Sequence, residues 1–182
     1  MTDVYVVGDV RVRPLTDGTG EFFHPAREAF PMAAESAWQA ARDLDPTAFR
    51  GDRWRLRFRC FLITTGTRMI LVDAGIGPVD SPAASWAPVP GRLLDQLGEA
   101  GVDPSDIDTV VLSHLHTDHI GWAVSPTRSR NAEHILQRTE YEAVDQLNPV
   151  LRHRLLDPLR ADGQLRLVDG AASLTPGVRV SH

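Results

Sequence analysis

The sequence predicts a mixed α/β domain with helices covering a sheet, and three features carry that prediction. Residues Arg53 to Leu62 alternate between Trp54, Leu56, Phe58, Cys60, Leu62 on one side and Arg53, Arg55, Arg57, Arg59, Phe61 on the other, a period of two that marks a half-buried strand. Thr65-Gly66-Thr67 reads as a hairpin turn into a second strand, Met69 to Val72, which makes the two antiparallel neighbours. From Arg92 onward, helical and strand patterns alternate along the chain.

The other elements follow in order. Val4 to Val12 is rich in β-branched residues and predicts a strand, and Asp17-Gly18-Thr19-Gly20 has the composition of a turn. Met32 to Leu44 is Ala-rich without Gly or Pro, which predicts a helix that Asp45-Pro46 ends. Gly77 to Gly91 holds four prolines and reads as a long loop, of the kind that often serves as a lid. Arg92 to Ala100 reads as a short helix stopped by Gly101. Asp108 to Leu112 and Ile135 to Gln137 read as strands, Thr139–Leu147 and Val150–Leu159 as helices, and Leu165–Val168 and Val178–Val180 as closing strands. There is no internal repeat.

At 182 residues, the chain is most economically a single domain, 1–182, with 42% apolar residues. Its net charge of −5 argues against a nucleic-acid partner. All 19 basic residues are arginine, which removes lysine Schiff-base chemistry. The single cysteine, Cys60, excludes an intrachain disulfide, and its phase with Trp54, Leu56 and Phe58 marks it as a buried packing residue. No apolar run reaches the ~18 residues of a membrane span. The start, Met1-Thr2-Asp3-Val4, lacks the pattern of a signal peptide, so a cytoplasmic location is the expectation.

Chemistry concentrates in His114-Leu115-His116-Thr117-Asp118-His119, directly after the apolar run Thr109 to Leu112. Neutral imidazole is a common metal ligand, and aspartate adds an anionic oxygen. In an extended or turning segment His114 and His116 point the same way, with Asp118 and His119 on the turn that follows. The cluster reads as two ligand pairs, which suits two neighbouring metal ions better than one.

This H-x-H-x-D-H segment, together with the upstream Met69-Ile70-Leu71-Val72-Asp73-Ala74-Gly75, resembles the metallo-β-lactamase-fold hydrolases over roughly Trp54 to His182. Asn131-Ala132-Glu133-His134 and Glu140 resemble a stretch of the lactonase-like branch. The resemblance implies the first part of an αββα sandwich, incomplete at the C-terminus, with metals at one edge of two sheets. It implies two Zn2+ ions, one on His114 and His116 and the other on Asp118 and His119. Iron or manganese would suit the same donors. It also implies that Asp118 is the catalytic acid–base and that Asp73 holds a ligand histidine from behind. Zinc lowers the pKa of bound water to about 7, so hydroxide becomes available to attack a small ester, lactone or thioester.

The family completes its sites with a later P-G-H histidine, a bridging Asp and a final histidine. None of these is evident, and His182 is a candidate for the first without the preceding Gly. The expectation is therefore a C-terminally truncated chain with uncovered apolar faces that binds zinc weakly and aggregates or forms a homo-oligomer.

Two other classes compete. A non-catalytic fragment or interaction protein would explain the missing ligands. A barrel-type amidohydrolase would place H-x-H after its first strand, whereas here the pair comes late. No G-x-S-x-G, P-loop or G-x-G-x-x-G supports a serine-hydrolase or nucleotide reading. His24, His134 and His153 read as ordinary surface or partly buried residues, and the arginine row as a solvated face paired with carboxylates. Phe22, Phe23 and Trp86 fall in segments read as loops, where lining an apolar substrate pocket and simple packing are equally consistent. The expected partner is a small-molecule substrate, with no membrane.

Overall fold

The computed structural model describes residues 4–125 and 129–181. The start at residues 1–3 and His182 lie outside the described residues. Among the described residues the main sheet contains eight strands: β1 (Tyr5–Val7), β2 (Val10–Pro25), β3 (Phe49–Arg50), β4 (Arg53–Thr64), β5 (Met69–Val72), β6 (Thr109–Val111), β7 (Glu133–Gln137) and β8 (Leu165–Val168). Their order is β1-β2-β4-β5-β6-β7-β8, with β3 added beside β4. The strands from β1 to β5 pair antiparallel, whereas β5, β6, β7 and β8 run parallel to one another. A separate hairpin, β9 (Ala172–Thr175) and β10 (Val178–Val180), forms a second sheet.

The period-two reading of Arg53 to Leu62 corresponds to β4: Phe58, Cys60 and Leu62 are buried and Arg55, Arg57 and Arg59 are exposed. One face of the sheet packs under α3 (Leu93–Glu99), α4 (Arg138–Leu147) and a helical run made of Pro149–Leu151, a π-helical Arg152–Leu156 and Asp157–Ala161. Leu15, Cys60, Leu62, Leu71, Val110 and Leu136 meet Leu93, Leu97, Val144, Leu155 and Leu159 in that core. The opposite face buries Ile70, Val111, Ile135 and Val168 against Leu174, Val178 and Val180 of the hairpin. The layers are therefore helices, large sheet, small sheet. Cutting one of these leucines to alanine would remove about 2–5 kcal/mol.

Several sequence expectations are corrected. Val4 to Val12 is not one strand, because Gly8 adopts φ 59° and the chain reverses from β1 into β2. Asp17-Gly18-Thr19-Gly20 is not a turn. It lies inside the 16-residue strand β2, where a register shift between Thr16 and Gly18 bulges Asp17 out of the ladder. Phe22 and Phe23 belong to the same strand. The helix expected over Met32–Leu44 begins only at Glu35 (α2, Glu35–Leu44), after a four-residue helix α1 (Ala26–Ala29). His134 is buried within β7, at 1% exposure. Among the described residues, no helix is long and apolar enough to cross a membrane.

Cys60 is fully enclosed, and burial followed by the charges of Asp17 and Asp73 pushes its thiol well above the ordinary range. The native chain should therefore be inert toward an aromatic disulfide reagent at pH 8 and release one thiol equivalent only in denaturant. A rapid reaction in native buffer would contradict this packing.

Candidate metal centre

The parallel register places the ends of β5 and β6 side by side, with Val72 opposite Val111. The segments leaving those ends, Asp73 onward and Ser113 onward, form the site. This is the carboxyl edge of parallel strands, where open α/β sheets commonly bind ligands. Backbone hydrogen bonds close the two segments onto each other: Asp73 N to Val111 O at 2.8 Å, Ala74 N to His119 O at 2.6 Å, Gly121 N to Gly75 O at 2.7 Å and Trp122 N to Ala74 O at 2.8 Å. The contact requires glycine. A Cβ on Gly121 would lie 2.2 Å from the Ile76 carbonyl carbon, and one on Gly77 would lie 2.5 Å from that of Gly121.

Asp73 stands at the centre of this arrangement. Its φ of 61° makes it the one non-glycine residue in the left-handed region among the described residues. That turn aims its carboxylate across to the neighbouring segment, where Oδ1 accepts Ser113 N–H at 2.8 Å and Oδ2 accepts the Ser113 hydroxyl at 2.9 Å. His119 Nδ1 lies 2.8 Å from the same Oδ2. The motif imidazoles gather in front: the His114 ring centroid is 4.1 Å from that of His119 and 4.5 Å from that of His116. Asp118 Oδ2 lies 3.5 Å from His119 Nε2. Leu115 fixes the segment from behind through its buried side chain and its N–H, which donates to Glu140 of α4 at 3.2 Å.

The two central imidazoles are pushed in opposite directions. Burial, then the neighbouring His119 and His116, lowers the pKa of His114. Burial also presses down on His119, but the hydrogen bond and charge of Asp73 and the charge of Asp118 outweigh it and raise its pKa. Among the described residues, no three His, Cys, Asp or Glu side chains meet closely enough to enclose a metal ion. The chemistry of the donor set nevertheless fits a divalent cation. His119 engages its Nδ1 with Asp73 and turns Nε2 toward Asp118, the arrangement in which a ligand imidazole is normally held.

Sequence reasoning missed Asp17, which supports this site from below. Its carboxylate is fully buried and accepts Ile76 N–H and Leu93 N–H at 2.6 Å each and Trp122 Nε1–H at 3.1 Å. Gly75 and Gly91 pack against it so closely that a Cβ on either would strike its oxygens. Burial raises the Asp17 pKa, and the N–H donors of Ile76, Trp122 and Leu93 offset that only in part. Ser113 was also missed; its one sequence signal is a hydroxyl directly before the first motif histidine. On the flank, Trp86 Nε1 donates to Thr117 Oγ1 at 3.0 Å, and its ring lies against Phe58 and Phe23, with centroids 5.6 and 6.0 Å away.

Residues 59–146 match the sequence profile of the metallo-beta-lactamase superfamily. Over that stretch the chain is similar to that superfamily. Its relatives include the N-acyl homoserine lactonase AttM of Agrobacterium fabrum (strain C58 / ATCC 33970), 39% identical over 94 residues that cover 45% of this chain and 35% of AttM. A probable metal-dependent hydrolase from Staphylococcus aureus superimposes with a TM-score of 0.77 at 20% identity, over 98% of this chain and 65% of the other. AidC, a dizinc quorum-quenching lactonase solved with a product, superimposes with a TM-score of 0.69 at 20% identity, over 96% of this chain and 63% of AidC. The chain thus spans less than two thirds of each of these three proteins. The fold is that of the metallo-beta-lactamase hydrolases, as the H-x-H-x-D-H resemblance implied.

Replacing Asp17 by alanine would leave three N–H donors without an acceptor inside the protein, at about 1–3 kcal/mol each. Urea unfolding of Asp17→Ala should show a loss of roughly 3 kcal/mol or more. Unchanged stability would refute the role given to this carboxylate.

Proposed function

We propose that this chain carries the metal-binding half-site of a zinc-dependent hydrolase acting on small lactones, with esters and thioesters as chemically related substrates. The observation that carries the reading is the gathering of His114, His116, His119 and Asp118 at the ends of β5 and β6, in front of Asp73. The likeness to AttM, named as an N-acyl homoserine lactonase, favours a lactone as substrate, and the dizinc character of AidC favours zinc over iron or manganese.

In this reading His114 and His116 hold one ion, and Asp118 and His119 hold the other. When bound, a divalent cation would make water acidic enough to act as a nucleophile near neutral pH and would draw charge from the carbonyl oxygen of the substrate. The remaining work falls to the chain. Asp118 orients the attacking water and carries its proton to the departing alkoxide oxygen of the opened ring. Asp73 keeps His119 from rotating, and Glu140 keeps the Leu115 backbone from shifting between His114 and His116. Trp86, fixed by Thr117 and flanked by Phe23, offers an apolar wall beside the motif that suits an acyl substituent better than a polyanion. Four donors fall short of the three per ion that a catalytic zinc usually takes, so further ligands come from other residues.

A second reading, a non-catalytic interaction protein, draws on the lack of any three-residue metal cluster among the described residues. Metal analysis with a lactone assay separates the two. The zinc-loaded protein should open an N-acyl homoserine lactone, and His116→Ala and Asp118→Asn should each lower kcat/KM at least about a hundredfold. Bound zinc without turnover would favour the second reading. Wild-type turnover in both variants would overturn the site assignment.

A further inference from the structure

We propose that Ser113 is a positioning residue that sets the tautomer of His114 and places it under the control of the same carboxylate that holds His119. The inference rests on His114 being a ligand, as proposed above. It starts from a count of protons. A serine hydroxyl carries one proton and two lone pairs, and an ionised carboxylate carries none to give. Ser113 Oγ lies 2.9 Å from Asp73 Oδ2 and 3.0 Å from His114 Nδ1. Its single proton goes to Asp73, so toward His114 the hydroxyl can only accept. His114 must therefore carry its proton on Nδ1 and keep the Nε2 lone pair free.

His119 is held in the same way without an intermediary, its Nδ1–H donating to Asp73 Oδ2 at 2.8 Å. One oxygen of one carboxylate thus orders two imidazoles, one directly and one through a hydroxyl. Both present Nε2, the nitrogen on the side away from Asp73. The Ser113 backbone N–H, donating to Oδ1 at 2.8 Å, fixes the serine main chain beside the same carboxylate. Among the described residues His116 has no such tether, so the relay distinguishes the first and third motif histidines from the second.

The test uses the full chain labelled with ¹⁵N at histidine, free of metal and at a pH where the imidazoles are neutral. Two-bond ¹H–¹⁵N spectra should show His114 and His119 as Nδ1–H tautomers. Ser113→Ala should move His114 toward the Nε2–H form, the commoner one for an untethered imidazole in water, and leave His119 unchanged. Ser113→Thr retains the hydroxyl and should restore the wild-type pattern. Zinc affinity, from competition with a chromogenic chelator, should fall about tenfold or more in Ser113→Ala and stay within about twofold in Ser113→Thr. Ser113 is solvent-exposed, so its truncation opens no cavity in the core. An Nε2–H proton on His114 in the wild type, or a Ser113→Ala variant with unaltered tautomer and affinity, would overturn the proposal. The tautomer is read without metal or substrate, so a failed lactone assay would reject the proposed activity and not this assignment.

Discussion

Convergence of Asp73 with the segment that follows β6 is the constraint on which the site depends. The residue occupies a backbone region that non-glycine side chains rarely adopt, and that conformation is sustained by what its carboxylate gains: an N–H, a hydroxyl and an imidazole from the neighbouring strand's extension. An extended backbone at this point would send the carboxylate elsewhere, and His114 and His119 would lose their common anchor. The strain thus lies one step behind the groups that would touch a metal, in the part of the structure that has to be rigid.

A second carboxylate, Asp17, does for the loops what Asp73 does for the histidines. It is enclosed by Gly75 and Gly91, and it ties β2 to the segment after β5, to the start of α3 and to Trp122. Both acids spend their acceptor capacity on N–H and O–H donors of this chain, which keeps the approach of the β5 and β6 segments fixed from two sides. The interlocked glycines Gly77 and Gly121 show how little room remains at that seam. Side chains are absent there because two backbones already occupy the space.

Much of this was legible in the sequence, and the reasons for the misses are physical. The strand Arg53–Thr64 announces itself because Phe58, Cys60 and Leu62 are buried while Arg55, Arg57 and Arg59 alternate with them in solvent. The fold follows from an H-x-H-x-D-H at the end of an apolar strand, a pattern that few other arrangements share. Asp17 was hidden because Asp-Gly-Thr-Gly is also the composition of a turn. What holds the segment extended is the pairing of its neighbours Thr16 and Gly18 with Arg59 and Phe58 on β4, partners no local window contains. The hairpin strand Ala172–Thr175 was missed for a related reason: its Ala, Ser and Thr carry little periodic signal, and it becomes a strand through β10 and the burial of Leu174. Ser113 could be seen as a residue but not as a relay, since its role depends on the distance to Asp73 across two strands.

The three hydrogen bonds of Asp17 close sequence separations of 59, 76 and 105 residues. Each closure has an entropic cost that grows with the loop, and little is recovered until all the partners are in place. Contacts of such long range slow folding. The motif segment is therefore positioned by parts of the chain that lie far from it in sequence, and any change that loosens β2 or the start of α3 reaches the histidines through this one carboxylate.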